Sequence, residues 1–234
     1  MDIGIVCAMP MEARTLTDHS VPRGRTLRIN EHCLLVCSGV GLDNASRATQ
    51  ALRERGVGAV LSWGCAAGLQ PNISAGTLVL PSIILAEDGQ RLPVDSHLHR
   101  ALRQRLTAIA EPCSGPLLTV DIPISTRAQK AALRQRHGAA ALDMESSAIG
   151  ITARRYRLPF AAVRTILDPA HQSLPAAATS GLQNDGSFHL GKGLAEVLRT
   201  PQDIIHLIRL GLNAKSAKKT LRRAATNLLL APLI

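Results

Sequence analysis

The chain has 234 residues, a formal net charge of +10, 46% hydrophobic residues and only 2% aromatic ones. That length suits one α/β domain with a large core, and the scarcity of Phe, Trp and Tyr argues against a nucleic-acid platform built on base stacking. Half of the excess charge sits between Pro201 and Ile234, where Arg209, Lys215, Lys218, Lys219, Arg222 and Arg223 are opposed only by Asp203.

Asp2 to Ala8 is an apolar run rich in β-branched residues, and a helical pattern begins at Met11, so the chain opens as strand, turn, helix. Glu12 falls in the first turn of that helix, where the helix dipole favours a carboxylate whatever else it does. Cys33 to Cys37 reads as a second buried strand, ending at Ser38-Gly39-Val40-Gly41 and followed by a helix from Asn44 to Arg55. The glycines suit a tight turn and a ligand-facing loop about equally. Asn44 stands where a dinucleotide fingerprint has its third glycine, which disfavours a Rossmann dehydrogenase. A third strand, Gly58 to Trp63, leads into Gly64-Cys65-Ala66-Ala67-Gly68. Residues this small let a ligand or a helix approach the backbone closely.

Thr77 to Leu80 and Ile83 to Leu85 suggest further strands, and residues 97–110 and 127–137 read as amphipathic helices. His97 and His99 diverge at the start of a helix, and no other Cys or His pair has zinc-site spacing, so no metal is expected. The strand Pro116 to Val120 runs into Asp121-Ile122-Pro123-Ile124; Asp143-Met144-Glu145 opens a helix from about 144 to 156; the strand Phe160 to Ile166 precedes Leu167-Asp168-Pro169. This alternation predicts a single α/β domain of three layers, a mostly parallel central sheet flanked by helices, with ligands at the carboxyl ends of its strands. Glu12, Glu145 and Asp168 each have a bland reading as a cap or turn former. All three follow strands or begin helices, however, and so converge on one sheet edge. The segment His171 to Ser187, rich in Ala, Ser, Gly and Pro, reads as a lid.

No charged segment followed by an apolar core opens the sequence, and no run reaches the ~18 apolar residues of a spanning helix, so a cytoplasmic location is expected. Five scattered cysteines suit buried thiols in a reducing compartment. In the tail, basic residues share one helix face while Ala214, Ala217, Leu221, Ala225 and Leu228 share the other. That is the pattern of a helix lying on an anionic membrane surface, or of one docked on its own domain.

Taken together, Ile3 to Glu12, Ser38 to Gly41, Gly64 to Gly68, Asp143-Met144-Glu145 and Leu167-Asp168 resemble in order and spacing the 5′-methylthioadenosine/S-adenosylhomocysteine nucleosidases of the nucleoside phosphorylase and nucleosidase superfamily. The likeness spans roughly residues 1–170. The remainder is similar to the hopanoid-associated phosphorylase branch. The resemblance implies a nucleoside phosphorylase-like catalytic domain over 1–200 and a basic helical extension over 201–234. It also implies cleavage of the N-glycosidic bond of an adenosyl substrate, with adenosylhopane favoured, no cofactor, phosphate as a candidate co-substrate, and a homodimer or higher homo-oligomer. Asp168 would protonate adenine N7, Glu145 would accept hydrogen bonds from the ribose hydroxyls, Met144 would pack on the sugar, and Glu12 would orient or deprotonate the nucleophile. Gly64 and Cys65 would offer backbone donors, and Ile122 and Ile124 would flank the base.

Leu167 departs from the Ser that usually precedes the catalytic Asp, and Ser62-Trp63 stands where the hexameric phosphorylases have an Arg. Glu12 and the missing Arg favour water as nucleophile while the family name favours phosphate, and both remain open. The alternatives are an ordinary methylthioadenosine/S-adenosylhomocysteine nucleosidase, and a membrane-surface or nucleic-acid binding protein on an inactive fold.

Overall fold

The computed structural model describes residues 2–175 and 204–229. Within the sequence-predicted lid, residues 176–187 lie outside the described residues, as do 201–203 and 230–234 of the tail.

Alternating burial along the strands sets the architecture, because successive side chains of a strand point to opposite faces. In β1 (Ile3–Cys7) and β3 (Cys33–Cys37), residues Ile3, Ile5, Cys7, Cys33, Leu35 and Cys37 enter one core while Val6, Leu34 and Val36 enter another. β4 (Ala59–Gly68) and β10 (Phe160–Asp168) divide in the same way, with Leu61, Trp63, Ala161 and Val163 on the first face and Val60, Phe160, Ala162 and Ile166 on the second. A sheet apolar on both faces must be covered twice. α2 (Leu42–Glu54) and α5 (Ser146–Arg155) cover one face; α1 (Pro10–Ala13), α3 (Ser96–Leu106) and α6 (Ile204–Leu229) cover the other.

The sheet is mixed. β1 pairs in parallel with β3 and β4, β4 with β10, β6 (Ile83–Ala86) with β8 (Leu117–Thr119), and β8 with β9 (Ala141–Asp143). Antiparallel neighbours complete it: β2 (Thr26–Asn30) on β3, β5 (Leu78–Val79) on β10, and β7 (Arg91–Pro93) on β6. β4 joins the two halves, since its last residues Ala67 and Gly68 turn to pair antiparallel with Leu142 and Ala141 of β9.

This pairing corrects the end of the third strand, expected at Trp63: Gly64 to Gly68 belong to it. β10 runs beside β4 from Val60 to Ala67, which keeps the small residues extended. Asp168, likewise, is the last residue of β10 and sits opposite Ala67 across an irregularity in the register.

α4 (Arg127–His137) begins with a Thr126 cap, whose hydroxyl accepts from Gln129 N, and ends at Gly138 with φ +65°. Its Leu133 packs against a smaller cluster containing Leu69, Leu118, Ile124 and Leu142. The apolar face of α6 is occupied by the domain itself: Ala217, Leu221, Ala224, Ala225 and Leu228 are buried in the first core. Arg105 holds Leu228 O at 2.8 Å. That face is therefore spent on the fold and does not meet a membrane. What α6 shows outward is Ile205, Ile208 and Leu212 together with Arg209, Lys215, Lys219, Arg222 and Arg223. Among the described residues no helix is long and apolar enough to cross a membrane.

Candidate active site

Glu12 is placed by the shortness of α1, which turns back under the end of β1. Its Oε2 accepts from Ala8 N and Met9 N, each at 2.9 Å, and its Oε1 from Cys65 N at 2.8 Å. Below it, Trp63 Nε1 donates to Thr15 Oγ1, which donates in turn to Glu12 O. Gly64 makes room for this carboxylate, since a methyl group on that residue would collide with the Glu12 carboxyl oxygens. The close approach foreseen at the small-residue segment is thus made by the protein's own carboxylate. Burial raises the Glu12 proton affinity, against Arg164 and the three main-chain donors.

Glu145 stands at the N-cap of α5 but caps nothing with its side chain. It reaches instead across the sheet edge, where its Oε1 accepts from Gly41 N at 3.1 Å. Gly41 has φ +102°, a conformation that a side chain would strain, and it opens α2. Gly41 thus makes the tight turn into α2, and its N–H is taken by Glu145. Burial and the neighbouring Asp143 push Glu145 up to about 8, against the pull of Arg164.

A buried network that the sequence reading missed holds these groups in place. Arg164, in the middle of β10, forms an ion pair with Asp143 at 2.7 Å and also donates to Ser62 Oγ at 2.6 Å, Ser146 Oγ at 3.1 Å and Val163 O at 3.1 Å. Asp143 Oδ1 accepts from Thr119 Oγ1, which receives Ser147 N. Four strands and the start of α5 are thereby fixed to one another. Burial works against the Arg164 charge, but Asp143, Glu145 and Glu12 more than offset it and hold it protonated. The signal was present in the sequence: an Arg inside a strand buried on both faces needs a partner.

Asp168 lies four residues beyond Arg164, about 13 Å along an extended strand. It is buried, and Lys130 Nζ from α4 stands 2.6 Å from its Oδ2. Lys130 is the second buried charge the sequence did not reveal, because it sits on a helix of many basic residues and only the tertiary fold buries it. Burial raises the Asp168 proton affinity, and Lys130 opposes that rise.

The remaining sequence candidates divide. Met144 packs against the cluster that contains Ile124. Ile122 is 63% exposed and stands outside that cluster. Cys65 supplies its N–H to Glu12, while burial and the Glu12 charge push its thiol up and keep it neutral. On the outer side of the chain that follows Asp168, a cleft of about 500 Å³ is lined by Leu69, Arg127, Arg134, Ala170 and His171.

The carboxylates Glu12 and Glu145, with Arg164 acting on both, form one polar cluster on an apolar sheet, and a further acid, Asp168, ends the strand that carries Arg164. Residues 2–189 match the phosphorylase superfamily. The chain belongs to that superfamily. It thereby takes its place among the enzymes of the nucleoside phosphorylase and nucleosidase family. Curated relatives in the superfamily include the 5′-methylthioadenosine/S-adenosylhomocysteine nucleosidase of Haemophilus ducreyi, 29% identical over 199 residues that cover 73% of this chain and 86% of the relative. The enzyme of the same name from Oceanobacillus iheyensis is 28% identical over 174 residues, covering 65% and 75%.

Among solved structures, the futalosine hydrolase of Helicobacter pylori superposes with a TM-score of 0.70 at 16% identity, covering 97% of this chain and 98% of its own. The methylthioadenosine/S-adenosylhomocysteine nucleosidase of Neisseria meningitidis, in complex with methylthio-immucillin-A, superposes with a TM-score of 0.68 at 19% identity, covering 97% and 99%. At these identities the superpositions establish a common fold.

Proposed function

We propose that the protein cleaves the N-glycosidic bond of an adenosyl nucleoside and releases adenine, with water as the nucleophile. The observation that carries this reading is the division of the site: two buried carboxylates, Glu12 and Glu145, hydrogen-bonded to main-chain donors with Arg164 acting on both, and a third, Asp168, paired with Lys130 at the end of the strand that carries Arg164. A ribose fits the first end and a base the second. Adenine departs poorly as an anion, so an acid at N7 lowers the barrier while the sugar becomes oxocarbenium-like. Asp168, at the strand end, is that acid. Glu145 accepts the ribose hydroxyls in the company of Met144, and Glu12 takes the proton of the attacking water.

Water is favoured over phosphate by charge. A clamped Glu12 carboxylate beside the nucleophile's position repels an anion, and Arg164 is fully engaged by Asp143, Ser62, Ser146 and Val163.

For the 5′-substituent the favoured reading is a lipid, as in adenosylhopane. Its support is the outward face of α6, where Ile205, Ile208 and Leu212 are about 60% exposed alongside basic residues and can meet an apolar phase edged with anionic headgroups. An ordinary methylthioadenosine/S-adenosylhomocysteine nucleosidase is the alternative, and the curated relatives' names favour it.

The test is adenine release from methylthioadenosine, S-adenosylhomocysteine and a lipid-linked adenosyl compound, each with and without phosphate, by wild type and Asp168→Asn. Phosphate-independent release should occur, fastest with the lipid-linked compound, and Asp168→Asn should lower it by roughly 10²–10⁴-fold. No adenine from any of the three would overturn the enzymatic reading, and near wild-type release by Asp168→Asn would remove that residue from the mechanism.

A further inference from the structure

We propose that Lys130 is a positioning residue for Asp168, holding its Oδ2 and making the carboxyl a stronger acid toward the departing base than a lone buried carboxyl would be. The proposal rests on the reading of Asp168 as the acid.

A lysine with no exposed side-chain surface is rare unless it is paired, and here the fold goes to some length to bury one. α4 carries Lys130 inward, where Nζ donates to Pro169 O at 3.1 Å and Gln172 O at 2.8 Å. Two of its three protons thus fix the chain that directly follows Asp168. The third side of the ammonium faces Asp168 Oδ2 at 2.6 Å without the alignment of a hydrogen bond, and that oxygen has no other partner among the described residues. The contact is therefore chiefly electrostatic. With Oδ2 held in this way, a base has to use Oδ1.

An ammonium at this distance lowers the free energy of the carboxylate relative to the acid, and so favours giving up the proton. The step balances. The C1′–N9 bond breaks and its electron pair passes to the base; N7 takes the proton from Oδ1; the pair of the broken O–H bond stays on the carboxylate. Lys130 keeps its three protons and offsets the charge just formed. The water oxygen bonds to C1′, and its proton goes to Glu12.

The other charged groups around the pair differ in reach. His171, in the segment after β10, also favours the Asp168 carboxylate, while Lys130 is acted on by Asp168. Arg127 and Arg134 of α4 line the outer cleft. Glu12, Asp143, Glu145 and Arg164 form the other end of the site. Burial pulls Lys130 toward the neutral amine and Asp168 holds it charged, so each partner preserves the other's function.

The experiment is the pH dependence of kcat for adenine release by wild type, Lys130→Met and Lys130→Gln, with Asp168→Asn alongside. The groups shared by all variants cancel in the comparison. In both Lys130 variants the descending limb on the basic side should move to higher pH, because an unopposed buried carboxyl keeps its proton longer, and the plateau should fall roughly tenfold or more as the acid weakens. A lower plateau with an unmoved limb would make Lys130 merely structural and overturn the proposal. A limb moved to lower pH would overturn it as well, making the lysine the proton source.

If Asp168→Asn retains activity, the acid assignment fails first. If it is inactive and the limb stays, only the role of Lys130 fails. Should neither lysine variant fold, ¹⁵N NMR of the lysine-labelled wild type decides: an ammonium signal for the buried lysine across the active pH range supports the proposal, and an amine signal overturns it.

Discussion

Glu145 shows how a single side chain carries opposite demands. Burial and Asp143 favour its neutral form by pushing its pKa up to about 8, while ribose hydroxyls, as donors, favour its charged form. The ordinary value is 4.5, so the folded state binds this proton more tightly than the unfolded chain. The stability associated with it is complete below about 4.5 and is lost as pH rises through about 8. Glu12 shifts in the same direction. The thermal stability of the wild type should therefore fall across that window, and Glu145→Gln should flatten the decline without abolishing it. Turnover of the Gln variant should fall strongly, and a 2′-deoxy nucleoside should discriminate poorly between the two proteins. An unchanged slope of melting temperature against pH in the variant would contradict this account.

Among the elements, β4 decides the geometry of the site. Gly64→Ala adds one methyl in contact with the Glu12 carboxyl oxygens. The carboxylate must then leave its three main-chain donors or the strand must shift. Overpacking of this kind costs about 1–3 kcal/mol, and a displacement near 1 Å at a reacting group costs on the order of 10²-fold in rate. A cooperative, slightly lowered unfolding transition with a large loss of kcat is the expected result, and full activity would show that Glu12 tolerates displacement.

The same element shows what a sequence discloses. Short apolar runs made β1, β3, β4 and β10 legible, and amphipathic periodicity over 97–110 and 127–137 disclosed α3 and α4. β2, β7 and β9 escaped notice because strands this short or half-exposed carry little apolar signal of their own. The continuation of β4 through Gly68 depends on β10 and β9 lying beside it, which local composition does not encode. Glu12, Glu145 and Asp168 were visible from their places after strands. Arg164 was readable as a charge inside a buried strand, whereas Lys130 acquired its meaning only when α4 packed beside the end of β10.

For the whole molecule, α6 is a structural member of the domain. Leu221 is fully buried in the core that also holds Trp63, Leu98 and Leu102. Leu221→Ala should cost about 2–5 kcal/mol, measurable by denaturant unfolding, whereas Arg223→Ala on the exposed face should leave stability nearly unchanged. Equal effects of the two substitutions would mean that the helix does not dock.

This docking has a consequence for biosynthesis. The first core is assembled from β1 near one end of the sequence and from residues 217–228 near the other, with Thr165 Oγ1 donating to Ala217 O across the interval. A nascent chain emerging from the ribosome therefore carries part of the apolar flank of its central sheet uncovered until residues 217–228 have been translated. Contacts so distant in sequence form late and leave that flank open to aggregation in the meantime. Ribosome-stalled chains ending before residue 217 should bind hydrophobic-surface dyes and holdase chaperones, and chains extended past residue 229 with enough spacer to clear the exit tunnel should release both.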